Sequence, residues 1–152
     1  MKRLAPVLLL VAAALAWPST AAAKTCELSI TGNDQMKYNK SELVVGADCD
    51  KVKLTLEHVG KMSVEQMGHN WVLAKSSEYK SLAQAGMKAG MKNEYIPQGD
   101  DRVIAHTGLV GGGETSSVTF DVSGLEAGGD YTFFCSFPGH YGIMNGKFVI
   151  KG

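Results

Sequence analysis

The chain has 152 residues, 15 basic and 15 acidic side chains, a formal net charge of zero and 45% hydrophobic residues. Interspersed charge of that kind excludes a nucleic-acid-binding surface and strong long-range steering of a charged partner, so any macromolecular partner must be recognised through a local patch. The length suits one domain with its own core, and no repeat, linker or low-complexity run argues for a second.

Residues 1–23 read as a secretory signal peptide. Lys2 and Arg3 form its charged start, residues 4–17 an apolar run, and Ala21-Ala22-Ala23 a small-residue cleavage site. The run falls short of the ~20 residues of a spanning helix and Pro18 interrupts its end, so no membrane anchor is expected. Cleavage after Ala23 leaves residues 24–152 as one domain. Loss of Lys2 and Arg3 reduces the 15 basic residues to 13 against 15 acidic, a net charge of −2.

An exported protein with three cysteines has an odd thiol to explain. Cys26 and Cys49 stand near the ends of early strand segments with no histidine close by, and the economical reading is a disulfide between them. Cys135 is then the lone thiol.

Period-two alternation recurs along the chain. Val52, Leu54, Leu56 and His58 share one face of residues 51–58; Val118, Phe120 and Val122 share one face of residues 116–123; Phe148 and Ile150 do so near the C-terminus. Further strands are predicted at 26–31, 42–46, 69–75, 103–106 and 131–136, separated by clusters such as Gly32-Asn33-Asp34 and Gly111-Gly112-Gly113. Short strands at regular spacing mean an all-β sandwich or barrel. The exception is residues 76–90, where Ser76 or Ser77 can cap a short helix carrying Tyr79, Leu82, Ala83 and Met87, and Gly90 can end it. This is a helical flap between strands.

The chemistry concentrates in Cys135-Ser136-Phe137-Pro138-Gly139-His140-Tyr141-Gly142-Ile143-Met144, with His69 far upstream. The apolar strand ending at Cys135 runs into Pro138-Gly139, which can reverse the chain so that Cys135, His140 and Met144 converge. Alternation places His69 with Trp71 and Leu73 on one face, and Cys135 with Phe133 on another. One thiolate, two imidazoles and one thioether suit copper that alternates between Cu(I) and Cu(II), because soft sulfur favours the reduced ion while imidazole accepts both states. Ligands fixed by strands packed for other reasons would rearrange little between the two states, which favours electron transfer.

Rival readings fare worse. A Cys135 nucleophile with His140 as base lacks an acidic residue to orient the imidazole and leaves Met144 without a task. A structural zinc site has little use for a thioether. The serious alternative is a periplasmic protein that binds or buffers copper without electron-transfer turnover. Of the other histidines, His58 continues the inward register of its strand as a core residue, and His106 ends a strand and is expected to be exposed.

Four stretches resemble the azurin family of bacterial blue-copper cupredoxins: Met67-Gly68-His69-Asn70-Trp71-Val72-Leu73, Arg102-Val103-Ile104-Ala105-His106-Thr107, Ser117-Val118-Thr119-Phe120-Asp121-Val122 and Phe133-Phe134-Cys135-Ser136-Phe137-Pro138-Gly139-His140. Gly32-Asn33-Asp34-Gln35-Met36 and the Cys26 and Cys49 pair extend the similarity over the mature chain. The resemblance implies an eight-stranded Greek-key β-sandwich or barrel in the periplasm. It implies a copper ion held by His69, Cys135 and His140 in a plane, with Met144 as axial ligand and the Gly68 carbonyl opposite. It further implies that the backbone N–H groups of Asn70 and Phe137 donate to the sulfur, that the Asn70 side chain ties the two ligand loops together, and that His58 is a pH-sensitive modulator. Met36, Met62, Met67, Met87, Phe137, Pro138 and Ile143 would form an apolar docking patch around His140. The implied partners are c-type cytochromes and, in denitrifying bacteria, nitrite reductase, served by a monomer with weak self-association. Gln66 and Tyr141-Gly142 depart from the family pattern beside that patch.

Overall fold

The computed structural model describes residues 22–152; residues 1–21, nearly all of the expected signal peptide, lie outside the described residues. Among the described residues, nine strand segments form two sheets. The first contains β1 (Thr25–Asn33), β2 (Lys37–Tyr38), β4 (Lys51–His58) and β7 (Thr115–Asp121), in the order β2-β1-β4-β7. The second contains β3 (Glu42–Gly46), β5 (Val72–Lys75), β6 (Ala105–His106), β8 (Tyr131–Phe134) and β9 (Asn145–Lys151), in the order β3-β9-β8-β5-β6. Both sheets are mixed: β1 pairs in parallel with β4, and β3 in parallel with β9, while the other ladders are antiparallel. The two sheets pack face to face as the expected β-sandwich.

β4 has the expected bounds, and its alternation is clean: Val52, Leu54, Leu56 and His58 are fully buried, with Lys51, Lys53 and Glu57 outside. Val52, Leu54 and Leu56 meet Leu73, Phe133 and Phe148 of the second sheet, and Trp71 just before it, in one contiguous core. Burying each large apolar side chain contributes on the order of 1.5–3 kcal/mol. Trp71 carries the buried side-chain polar atom that has no hydrogen-bond partner among the described residues, its indole Nε1; the ring packs near Phe120, Phe133 and Phe148.

β5 and β8 do not alternate. Val72, Ala74 and Phe134 on their outer face are as buried as Leu73 and Phe133 on the inner one. The cause is the helical flap, α2 (Tyr79–Ala89), whose Leu82 and Ala83 cover Val72, Ala74 and Phe134 in a second apolar cluster. Neither candidate serine caps this helix; Glu78 stands at its N-cap position without a side-chain cap. Ser76 instead donates to Asp130 at 2.8 Å and pairs with Thr132 at 2.7 Å, fastening the start of the flap to the entry of β8. Gly90 ends the helix as expected, with φ +75°. A four-residue helix, α1 (Val64–Met67), also precedes the Gly68-His69 segment.

Cys26 and Cys49 are disulfide-bonded, with 5.9 Å between their Cα atoms and a sequence separation of 23. Cys135 is free and buried. A loop of that size contributes about 3 kcal/mol through the denatured chain.

Candidate metal centre

The Cys135 to Met144 segment is closed by its own backbone. Cys135 N–H donates to the Met144 carbonyl at 3.0 Å, so the two ends of the segment are held together. Between them His140 N–H donates to the Phe137 carbonyl at 3.0 Å, and Gly139 has φ +83°. That is a type II turn with Pro138 and Gly139 at its centre, the sequence such a turn requires. Met144 N–H returns to the His140 carbonyl at 2.8 Å.

His69 arrives from the other side. Its backbone exchanges two hydrogen bonds with Val110, at 2.9 and 2.8 Å, just before β5. The imidazole Nε2–H donates to the Asn33 carbonyl at 2.8 Å, which leaves the Nδ1 lone pair free. Nδ1 faces Cys135 Sγ at 3.9 Å, and His140 Nδ1 lies 3.6 Å from the same sulfur. The three ligating atoms of His69, Cys135 and His140 all lie within 4.8 Å of one another. The Gly68 carbonyl is 3.9 Å from Sγ. Gly32 shows where Met144 belongs: a Cβ there would meet His69 Cδ2 at 2.8 Å and Met144 Cε at 3.5 Å. The thioether arm therefore lies beside the His69 ring, and only glycine lets β1 approach both.

The cluster is dry. His69, Cys135 and Met144 are fully buried and His140 is 3% exposed. Burial pushes the Cys135 thiol up to about 12, opposed by the backbone N–H groups of Asn70 and Phe137 that point at the sulfur. Burial also pulls His140 down to about 4, helped by His69 and His58, and lowers His69. Both imidazoles are thus neutral at pH 7, ready to offer lone pairs, while the thiol keeps its proton until a metal displaces it.

The sign of the pH dependence follows for the metal-free protein. An unfolded histidine titrates near 6.5, whereas His140 in the fold titrates at about 4, so between those values the unfolded chain binds more protons. Stability should therefore fall as pH drops from 6.5 to 4, His69 adding in the same direction. At the alkaline end the fold retains the Cys135 proton between 9 and about 12, and stability should fall as pH rises through that window. Thermal unfolding of metal-free protein across both ranges measures this; a midpoint that stays level from pH 6.5 to 4 would contradict the buried, neutral imidazoles.

Asn70 ties the site together. Its side-chain amide donates to Ser136 Oγ at 2.8 Å and to the Glu94 carbonyl at 2.9 Å, and its oxygen accepts from Ser136 N–H at 2.9 Å. The loop before β5 and the loop after β8 are joined through this one residue. Glu94 and the adjacent Tyr95 have φ of 54° and 57°, an uncommon conformation for non-glycine residues. Ser136, Glu94 and Asn33 were not legible as participants, since each acts through a backbone group or a short side chain with no pattern of its own.

His58 is a core histidine in the expected register. Its Nε2–H donates to the Met67 carbonyl at 2.9 Å, Nδ1 accepts from Gly60 N–H at 3.0 Å, and its ring stacks on His69 at 4.3 Å. His106, expected to be exposed, is half-buried, with Nδ1–H donating to the Thr107 carbonyl at 3.0 Å. Of the patch residues, Pro138, Ile143 and Met87 are exposed, and Met36, Met62 and Met67 half-buried. Phe137 is buried, wedged between Tyr95 and His140.

The model of the plastocyanin/azurin family of copper-binding proteins matches residues 24–151. The chain belongs to that family. It is 54% identical over 121 residues to the azurin of Alcaligenes faecalis, an alignment covering 80% of this chain and 94% of that protein. It is 50% identical over 129 residues to the azurin of Achromobacter denitrificans, covering 85% and 87% respectively. A solved azurin, Az-iso2 of Methylomonas sp. strain J, superposes with a TM-score of 0.81 at 43% identity, covering 84% of this chain and 98% of that one. The sandwich is a cupredoxin fold, and this plastocyanin/azurin-family chain is a blue-copper electron-transfer protein.

Proposed function

We propose that His69, Cys135 and His140 hold one copper ion through Nδ1, Sγ and Nδ1, with Met144 and the Gly68 carbonyl as weaker donors, and that the mature chain carries single electrons in the periplasm. The observation that carries this is three soft or borderline ligand atoms within 4.8 Å of one another in a site closed to water. Bound there, copper supplies a one-electron Cu(I)/Cu(II) couple. The chain supplies the rest. Asn33 fixes the His69 tautomer, Asn70 and Phe137 place N–H dipoles on the sulfur, and the type II turn sets His140 against Cys135. Each of these is locked by hydrogen bonds outside the ligand set, so the ligand atoms keep their places when the charge at the site changes.

Residues 1–23 direct export and are removed, leaving residues 24–152. The protein is a carrier rather than an enzyme, because the ligand cluster is buried on all sides and offers a substrate no entry. Electrons pass at His140, beside the exposed Pro138 and Ile143, and the resemblance to azurins makes Met36, Met62, Met67, Met87 and Phe137 the rest of an adaptable apolar patch there. The partners this fits are c-type cytochromes and periplasmic reductases such as nitrite reductase, met by a monomer that associates weakly with itself. A copper buffer would have the same ligands but no use for a rigid site. Voltammetry separates the two: a reversible one-electron wave with fast exchange is expected, and an irreversible wave that releases copper on reduction would favour the buffering role.

A further inference from the structure

The Asn33 carbonyl that fixes the His69 tautomer sits at the tip of a hairpin, and a carboxylate to which nothing above gives a task ties that tip down. β1 ends at Asn33 and β2 begins at Lys37. Between them a turn closes, with Met36 N–H donating to the Asn33 carbonyl at 3.1 Å and Gln35 N–H to Asn33 Oδ1 at 3.0 Å. Both bonds are internal to the hairpin and travel with it. Among the described residues, the hydrogen bonds by which turn residues 34–36 reach another part of the chain are those of the Asp34 carboxylate. It accepts from Lys61 N–H at 2.8 Å and from Met62 N–H at 3.2 Å. The Lys61 N–H holds this carboxyl below its usual range, so it is ionised at neutral pH. Its seat is tight: the side chain is 22% exposed, and a Cβ on Gly60 would overlap both the carboxylate and the His58 ring.

We infer that Asp34 is a positioning residue for the His69 ligand: by anchoring the hairpin tip to the backbone of Lys61 and Met62, its carboxylate keeps the Asn33 carbonyl on His69 Nε2–H. This rests on the copper reading of the site given above. The link is direct, because the Asn33 carbonyl and Asp34 Cα belong to one planar peptide. A side chain that pins Asp34 Cα pins one end of the plane that carries the acceptor oxygen, and the pairing of Asn33 with Lys37 holds the other end. An imidazole whose Nε2–H is held by an acceptor is the stronger donor at Nδ1. Stronger donation favours Cu(II), so a loosened tip raises the reduction potential.

Asp34→Asn and Asp34→Glu test this together. The first keeps the shape but loses the charge and one of the two acceptor oxygens. The second keeps the charge but adds a methylene in a seat with no room for it. In the metal-free protein at neutral pH, solvent exchange of the His69 Nε2–H, followed by NMR, should accelerate about tenfold in both variants, the change that weakening one buried hydrogen bond corresponds to. The Asn70 side-chain amide, bonded to Ser136 and Glu94, should exchange as in the parent. In the copper protein the potential should rise in both variants. The inference requires both readouts. A His69 Nε2–H as protected as in the parent overturns it, as does an unmoved potential. Parent behaviour in Asp34→Glu overturns it too, because the effect would then be one of charge alone, and so does acceleration of His69 and Asn70 together, which would mean a general loss of stability. The exchange measurement needs no metal, so its failure is distinguishable from failure of the copper reading.

Discussion

Cys135→Ser is expected to abolish the intense visible absorption of the Cu(II) protein and to weaken copper binding by several orders of magnitude, while the fold persists. Colour of that kind arises from charge transfer between a thiolate sulfur and Cu(II), and Cys135 is the free thiol of the fold. A hydroxyl at the same place is a poor donor that keeps its proton. Serine is smaller than cysteine and the site is fully buried, so the loss of packing is modest. Absorption spectra and copper titrations of the variant measure both effects. Retention of the parent band would mean that another group supplies the sulfur.

Ile143→Lys is expected to slow electron self-exchange by at least about tenfold with little change in the spectrum. Ile143 is 62% exposed, three residues beyond His140 and adjacent to Met144, and its backbone N–H already bonds the His140 carbonyl at 3.0 Å. Two copies meeting through this face would bring two ammonium groups together in a desolvated contact, and like charges across an interface cost several kcal/mol. The ligand atoms are untouched. Self-exchange in the parent should depend only weakly on salt, whereas the variant should recover rate as ionic strength rises and screens the new charge. A variant with full copper occupancy and the parent's exchange rate would move the electron port away from His140.

The parts of this molecule that were legible in the sequence are those set by short-range rules. The Cys135 to Met144 loop is one: Pro138 and Gly139 at the centre of a type II turn force the reversal that brings the sulfur and His140 within 3.6 Å. β4 is another, because one buried face and one solvent face impose period two. β5 and β8 were legible as strands, but their burial was not, since an outer face covered by a helix carries the same apolar residues as an inner one. Ser76, before α2, read as a candidate helix cap and serves as a tie to β8. A hydroxyl within reach of two acceptors goes where tertiary packing brings them.

Of the metal centre, the four side chains were legible and their supports only in part. Asn70 and Phe137 came from resemblance to azurins. The roles of Asn33 and Ser136 depend on which strands pair and in what register. The parallel ladder that aligns Gly32 with His58 is what sets the Asn33 carbonyl against His69 Nε2. Nothing local in Gly32-Asn33-Asp34 announces that.

The central claim is a thiolate and two imidazoles on a single copper. The most direct measurement is the visible and electron paramagnetic resonance spectrum of the purified mature chain titrated with Cu(II). An intense blue band that saturates at one copper per chain, with the narrow hyperfine splitting of a highly covalent copper-thiolate bond, is the predicted result. A faint band with the wide splitting of tetragonal nitrogen and oxygen coordination would contradict it.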